Sequence, residues 1–309
     1  TFLPFDSNKV TFNFGSAILR AKGDTKRPLY CLLIAGVVNV ILNIIFVVGF
    51  DLDVFGVGLA TSISNAISAA IIVWLLCHEP FPFRLNLSRI TDVYQSQLTK
   101  MIAIGLPAGI QGMVFAISNV TIQSAINGFG SEAMSGSAAA LNYEHFCYYI
   151  IAAFASAAVT FIGQNYAAGN MKRCRKILFH TMWLSLVCCG FFNLLFTWNE
   201  TFFVNIFNTD PQVHKFAYMR MEWVLLFQFI ASSYEVTGGA LRGYGYSSIP
   251  AALTIVGTCA LRLWWVAVIV PQHHLFEWLM VVYPISWVVT GFLVLVAYYF
   301  VGRKEKIFS

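Results

Sequence analysis

Apolar residues in this chain form long runs separated by short polar segments. Runs of about 20 residues match the length that an α-helix needs to cross the hydrocarbon core of a bilayer. Membrane barrel strands would instead show segments of about ten residues with alternating polarity. We therefore predict an all-α polytopic membrane protein with eight spanning helices, at about residues 29–50, 55–77, 101–127, 138–166, 177–198, 216–241, 250–270 and 278–301.

The segment ahead of the first run differs from the others. It ends near Arg20 and is too polar before Val10 to span a bilayer by itself. We predict that it forms a partial helix, so that the chain has about eight full spans and one partial span.

Composition supports a membrane protein. The 309 residues are 58% hydrophobic and 11% charged, with a mean hydropathy of +0.71, whereas soluble domains carry roughly 25% charged residues. The net charge of +5 does not indicate nucleic-acid binding, because the basic residues lie in short loops between the runs. The seven cysteines form no C-x-x-C pair or Cys/His cluster in the sequence, so we expect no metal site.

Loop charges predict the orientation of the chain. Basic residues are concentrated in alternate loops and at the C-terminal end: Lys22, Lys26 and Arg27; Arg84, Arg89 and Lys100; Lys172, Arg173, Arg175 and Lys176; Arg303 and Lys304. The loops between them hold acids or histidines instead: Asp51 and Asp53; Glu132; Glu200 and Asp210; His273, His274 and Glu277. The positive-inside rule therefore predicts a cytoplasmic C-terminus.

A loop motif occurs twice. Its first copy contains Arg20, Gly23, Asp24 and Pro28, and its second contains Arg242, Gly245 and Pro250, each 222 positions after its counterpart. A repeat of this length in an apolar chain indicates two homologous membrane halves. We predict a boundary between residues 1–90, the last part of a first bundle, and residues 91–309, a complete second bundle of six helices.

The repeated segments resemble a known family. Residues 19–28 read Leu-Arg-Ala-Lys-Gly-Asp-Thr-Lys-Arg-Pro, and residues 56–61 read Gly-Val-Gly-Leu-Ala-Thr. Together they are similar to the fourth-to-sixth helix signature of MATE (multidrug and toxic compound extrusion) transporters. Residues 105–111 and 163–166 resemble the start of that family's second half. The resemblance implies two six-helix bundles, the first incomplete here. The 222-residue offset would place the counterpart of Pro107 about 115 residues before the start of the chain, so we expect roughly 115 to 125 residues before Thr1.

The resemblance also implies a function. MATE members are secondary antiporters that export organic cations, drugs or other toxic compounds, driven by H⁺ or Na⁺. We accordingly expect a monomer in the plasma membrane, with the lipid bilayer and small molecules as its partners. The sequence shows no enzyme or ATP-site motif, so we expect neither catalysis nor a cofactor beyond the coupling cation. A flippase for lipids or lipid-linked saccharides and an inactive membrane fragment or scaffold stay open as alternatives.

Two acids within apolar runs are candidates for ion coupling, because charge inside a membrane is costly and marks function. Glu235 lies near the predicted cytoplasmic edge at Gly239, and a seven-residue spacing places it on one helix face with Gln228 and Arg242. Glu144 lies near the predicted outer end of its span. The alternatives are an ion pair between Glu235 and Arg242 that is only structural, and an acid at residue 144 that favours the helix dipole.

Amide and aromatic side chains supply candidates for substrate binding. Gln111, Asn119 and Gln123 fall within an arc of roughly 120° on one predicted helix, and such a stripe should face the protein interior. Tyr148 shares the predicted face of Glu144, and Gln228 shares that of Glu235. These side chains could equally serve only to hold helices together.

The resemblance departs from the family at the ion site. Sodium-coupled members carry an acid where this chain has Phe115, and an Asp near the position of Ala231. The coupling ion is therefore open.

Overall fold

The chain folds into two helical units. The computed structural model describes residues 7–89 and 92–305, and its contacts divide the chain into Thr1–Tyr94 and Gln95–Ser309. The division falls four residues after the boundary that the sequence predicts at residue 90. Residues 1–6, which include Asp6 of the polar start ahead of Val10, lie outside the described ranges, as do residues 90–91 and 306–309.

The first unit contains three helices: α1 (Ser7–Lys22), α2 (Lys26–Gly49) and α3 (Asp53–Cys77). With 16 residues, α1 is about 24 Å long, which is short of the roughly 30 Å hydrocarbon core. It packs closely on α3, because a methyl group on Gly15 would approach the Cγ1 atom of Ile72 to 2.9 Å. The predicted partial helix is therefore present.

The second unit contains six long helices among its described residues: α4 (Gln95–Asn127), α5 (Ser131–Ala167), α6 (Met171–Trp198), α7 (Pro211–Gly243), α8 (Ser248–His273) and α9 (Phe276–Lys304). Together with α2 and α3, they make eight helices in the described ranges that are long and apolar enough to cross a membrane. No strand occurs in those ranges. The predicted fold class, all-α with eight full spans and one partial span, is confirmed.

Four of these helices, α4 to α7, begin five to seven residues earlier than the hydropathy pattern predicts, and the reason is visible for α5 and α7. α5 begins at Ser131 instead of near residue 138, because its first turns carry small residues that pack on protein. A methyl group on Gly136 would approach the carbonyl oxygen of Val213 in α7 to 2.5 Å. α7 begins at Pro211, where the Asp210 side chain accepts a hydrogen bond from the Gln212 amide at 2.9 Å as an N-cap.

α7 is not a regular helix throughout. A π-helical segment covers Met221–Leu225 and a 3-10 segment covers Gln228–Ala231, before regular α-helix resumes at Ser232. Gln228 and Glu235 nevertheless both contact α5, Gln228 at the carbonyl oxygen of Glu144 and Glu235 at the hydroxyl of Tyr148.

The repeated motif folds the same way in both units. Gly23 has a φ of +98° and Gly245 a φ of +91°, a left-handed conformation that glycine adopts without a Cβ penalty. In each copy the glycine amide donates to the carbonyl of the arginine three residues earlier, at 2.9 Å, from Gly23 to Arg20 and from Gly245 to Arg242. Each loop thus ends one helix with a C-terminal cap and lets the next helix begin close to Pro28 or Pro250.

In each unit, an acid that follows the last long helix binds residues at the loop of the repeated motif. Glu79, which follows α3, forms ion pairs with Lys22 and Arg27. The hydrogen bond from Lys22 lowers the pKa of the Glu79 carboxyl, and the bond from Arg27 adds to this effect. Asp24 accepts hydrogen bonds from the amides of Lys26 and Arg27, which caps the start of α2.

The second unit uses tyrosines for the same purpose. The hydroxyl groups of Tyr246 and Tyr166 donate to the carboxylate of Glu305 at 2.6 and 2.7 Å. These two hydrogen bonds, that of Tyr246 first, lower the pKa of Glu305. In the second unit, hydrogen bonds from uncharged tyrosines therefore join the loop to the end of α9, where the first unit uses ion pairs with Lys22 and Arg27.

The centre of the second unit is the contact between α5 and α7. A methyl group on Gly239 would approach the carbonyl oxygen of Ala155 to 2.6 Å, and one on Gly243 would approach that of Val159 to 3.1 Å. Small residues at these positions let the two backbones approach closely, as is typical of helix packing in membranes. Side chains on α5 and α7 are therefore positioned by two closely packed helices.

Candidate functional site

A cavity of about 520 Å³ lies within the second unit. Side chains from α4, α5, α7, α8 and α9 line it, and the polar and aromatic ones include Phe115, Asn119, Gln123, Glu144, His145, Tyr148, Tyr149, Arg220, Gln228, Tyr234, Arg262, Tyr283 and Trp287. Its volume falls within the range of small-molecule sites, and so does its combination of aromatic walls with a few polar groups.

Glu144 is bound in a buried ion pair. The Arg220 guanidinium donates from Nε to Oε1 at 2.5 Å and from Nη2 to Oε2 at 3.0 Å, and both residues are at most 6% exposed. Two parallel bonds of this kind fix the geometry of a carboxylate as well as neutralising it. Gln228 completes the cluster, because its Nε2 donates to the carbonyl oxygen of Glu144 at 2.9 Å.

Glu144 has more helical residues ahead of it than the predicted span suggests. Since α5 begins at Ser131, Glu144 lies about 13 residues, or roughly 20 Å, inside the helix. It is too far from the helix start for a favourable interaction with the helix dipole, which is confined to the first turn. The helix-dipole alternative is therefore wrong, and the structure gives this acid Arg220 as its partner.

Glu235 has a different environment. It is partly buried on α7, eight residues before that helix ends at Gly243, instead of four before an edge at Gly239. Its nearest recorded partner is the hydroxyl of Tyr148, 3.5 Å from its Oε1, which is longer than a strong O–H···O hydrogen bond. Within the described ranges it forms no salt bridge.

Arg242 does not neutralise Glu235 by direct contact. Its Nη2 donates instead to the Oε1 of Gln111 on α4 at 2.9 Å. The alternative of a close structural pair between Glu235 and Arg242 is therefore not what the structure shows. Gln111 is occupied by this bond and lies outside the cavity lining, whereas Asn119, Gln123, Tyr148 and Gln228 all belong to it.

Arg262 is the most unusual group in the cavity. It is 1% exposed, and its Nε donates to the hydroxyl of Ser286 at 3.0 Å. The centre of its guanidinium lies 4.3 Å from the ring of Tyr283, 5.6 Å from that of Phe115 and 5.9 Å from that of Trp287. Its Nη2 has no hydrogen-bond partner among the described residues.

Sequence reasoning missed both arginines. It considered acids and amides within the apolar runs, together with Arg242, but neither Arg220 nor Arg262. The available signal was a basic residue inside a run, since Arg262 stands between Leu261 and Leu263 in the predicted span 250–270. Charge at such a position is costly whichever its sign and should have been treated as a candidate site.

The two positions where the resemblance would place further acids also lie in the cavity wall. Phe115 and Ala231 both line the cavity, and neither side chain can carry charge. Glu144 is thus the one acid among the described lining residues.

No group of three or more His, Cys, Asp or Glu side chains suited to a metal ion occurs in the described part of the chain.

Comparison with known proteins agrees with this architecture. The chain is 25% identical over 255 residues to a probable multidrug resistance protein NorM of Thermotoga maritima, which covers 80% of this chain and 54% of the relative. It is 26% identical over 252 residues to the probable multidrug resistance protein YpnP of Bacillus subtilis, covering 81% and 56%. The chain therefore spans just over half the length of these curated relatives.

A solved structure and a family model extend the comparison. The crystal structure of the Vibrio cholerae MATE transporter VcmN in the bent form superposes with a TM-score of 0.79 at 18% identity, covering 97% of this chain and 68% of that one. The likeness shows a shared fold. The family model MatE matches residues 107–265, just over half of the chain, and these residues include most of the cavity wall. This chain is an integral membrane protein of the MatE family of transporters.

Proposed function

We propose that this chain forms the transporting core of a secondary antiporter that exports drugs or other toxic compounds across the plasma membrane. Inward movement of H⁺ or Na⁺ drives the export. Family membership supports transport, and the names of the NorM and YpnP relatives support multidrug resistance as its purpose. We propose this activity for the whole protein, together with any residues that are encoded before Thr1.

The observation that carries the coupling proposal is the contrast between Glu235 and Glu144. Glu144 is held by two hydrogen bonds from Arg220, so binding a cation there would require breaking a buried ion pair. Glu235 has only the long contact with Tyr148. A carboxylate that is partly buried and free of a salt bridge can bind and release a cation without stranding an opposite charge.

Tyr148 connects the two parts of the site. Its ring lines the cavity and its hydroxyl contacts Glu235, so a ligand in the cavity and a cation at Glu235 would meet the same side chain. Antiport requires that occupation of one site alter the affinity of the other. We propose Tyr148 as the physical link between substrate binding and ion binding.

Export is tested with dyes in cells that lack their own efflux pumps. Expression of the chain with any preceding coding sequence should lower the accumulation of ethidium, carboxyfluorescein or both. A protonophore should abolish the effect if H⁺ is the coupling ion, and a sodium ionophore should abolish it if Na⁺ is. Equal accumulation in expressing and empty cells under every gradient would contradict export and favour the flippase or scaffold alternatives.

We further propose that the C-terminus is cytoplasmic, as the distribution of basic loops predicts. A membrane-impermeant thiol reagent added to intact cells should label Asp53→Cys and His274→Cys above the background of the unmodified chain. Lys172→Cys and Lys304→Cys should react only after permeabilisation. The opposite labelling pattern would invert the orientation and the side from which each acid is reached.

A further inference from the structure

The charges that line the cavity do not balance. Among its described lining residues, Glu144 supplies one negative charge, and Arg220 and Arg262 supply two positive charges. The Glu144–Arg220 pair is closed by two hydrogen bonds and is neutral as a unit. One positive charge, that of Arg262, is left in the cavity wall.

Arg262 is buried without an opposite charge. No salt bridge to it occurs in the described ranges, and its surroundings are a hydroxyl and three aromatic rings. Ring faces stabilise a desolvated guanidinium only in part. The free-energy cost of removing an unpaired ion from water is larger than this stabilisation. The fold therefore retains a charge that protein contacts alone do not compensate.

The unsatisfied atom of Arg262 belongs to a residue of the cavity wall. Nε is used by Ser286, while Nη2 has no hydrogen-bond partner among the described residues. Ser286 in turn donates to the carbonyl oxygen of Tyr283 at 2.7 Å, which fixes the hydroxyl that orients Arg262. Nη2 is itself buried, and the N–H donors of a guanidinium have the geometry that suits a carboxylate or phosphate oxygen.

The other side chains of the cavity wall are mainly aromatic, and they indicate which part of a ligand would lie beside Arg262. Phe115, Trp287 and Tyr283 surround the guanidinium, and Tyr148, Tyr149 and Tyr234 add further rings. Flat aromatic molecules pack well against such surfaces. The volume of about 520 Å³ accommodates two or three fused rings.

We infer that the cavity of the second unit is an anion subsite, in which Arg262 binds the carboxylate or phosphate of an aromatic organic anion whose ring packs between Phe115 and Trp287. The inference deepens the proposed export function by naming a substrate class, and it rests on that function only for the direction of transport. It replaces the organic cation that the family resemblance implies, because the one acid among the described lining residues is already neutralised.

Binding is measured by isothermal titration with three probes of one shape. These are 1-naphthoate, neutral 1-naphthamide and cationic 1-naphthylmethylammonium, added to the purified 309-residue chain in phosphatidylcholine nanodiscs. Naphthoate should bind roughly tenfold to a hundredfold more tightly than naphthamide, as expected for a hydrogen bond between charged groups. The ammonium probe should bind more weakly than either. Equal affinity for the three probes would overturn the inference.

Substitutions assign the preference to one side chain. Arg262→Gln should reduce the affinity ratio of naphthoate to naphthamide to about one, and Arg262→Lys should retain part of it because the charge persists without the planar fork. Arg173→Gln removes an exposed arginine of α6 outside the cavity and should change nothing. A naphthoate preference that persists in Arg262→Gln would overturn the assignment.

Thermal unfolding provides a second measurement that does not need transport. Naphthoate should raise the Tm of the unmodified chain and not that of Arg262→Gln. Without ligand, Arg262→Gln should unfold at the same or a higher temperature, because it removes an uncompensated buried charge. A lower Tm of a folded Arg262→Gln, with no Tm shift by naphthoate in the unmodified chain, would show that the arginine is structural and would overturn the proposal.

The source of the anion is separated by lipid composition. If phosphatidylglycerol in the nanodisc competes with naphthoate, the site binds a lipid headgroup; if it does not, the site binds a water-soluble anion. Naphthoate binding without dye export would retain the anion site and reject the export proposal. Export of ethidium without naphthoate binding would do the reverse.

Discussion

Glu235→Gln should abolish ion-driven efflux and leave the protein folded in the membrane. Glutamine keeps the shape and polarity of the side chain and removes its ability to bind a proton or carry a charge. Because Glu235 forms no salt bridge in the described ranges, its replacement strands no basic partner. Efflux should fall to the level of empty vesicles, while the membrane yield and Tm should be equal to or higher than those of the unmodified chain.

The matched control is Glu222→Gln, which removes an exposed acid from the same helix. It should retain efflux, so that loss in Glu235→Gln cannot be attributed to net charge. Tyr148→Phe removes only the hydroxyl near Glu235 and should weaken coupling without abolishing it. Full efflux by Glu235→Gln would end the coupling role of this residue and leave Glu144 as the candidate.

The helices could be predicted from the sequence because spanning runs are local. A helix in lipid must satisfy its own backbone and be apolar over about 20 residues, so hydropathy alone locates α2, α3 and α4 to α9. The 222-residue repeat added the internal relationship between the halves, and its glycines Gly23 and Gly245 share one backbone conformation. Both features can be predicted without knowing which helices contact each other.

The early start of α5 and the interruption of α7 could not be predicted in the same way. The first turns of α5 are helical because Gly136 lets α7 approach, which is a contact between residues far apart in sequence. Hydropathy scored these small residues as loop. Arg220 directly precedes the π segment of α7 and Gln228 begins the 3-10 segment, and both contact Glu144 on a neighbouring helix.

The sequence does not determine which charged side chains of the site bind each other. Seven-residue spacing left a pair between Arg242 and Glu235 open as an alternative, yet Arg242 donates to Gln111, and Glu144 accepts from Arg220. In each case the partner comes from another helix at a sequence separation of more than 70 residues. Spacing along one helix describes faces, whereas ion pairs in a bundle are set by which faces meet.

The ion pair of Glu144 and Arg220 leads to the second large expected effect. Either Glu144→Gln or Arg220→Gln should lower the free energy of unfolding by about 3–5 kcal/mol, because each leaves an uncompensated charge in a buried site. The double variant removes both charges and should recover most of this loss. Unfolding in detergent by increasing dodecyl sulfate measures all four members of the cycle, and their coupling isolates the pair from other contacts.

The control for this cycle is Glu235→Gln, because it also removes a carboxylate from a span of the same unit but one without a salt bridge in the described ranges. Its free energy of unfolding should not fall, and the contrast with Glu144→Gln would separate a structural acid from a coupling acid. The efflux of the double variant decides the role of the pair. Restored stability with restored efflux means that the pair holds α5 and α7 together and takes no part in ion binding. If Glu144→Gln stayed as stable as the unmodified chain yet lost efflux, the pair would not be structural, and coupling would have to be assigned to Glu144.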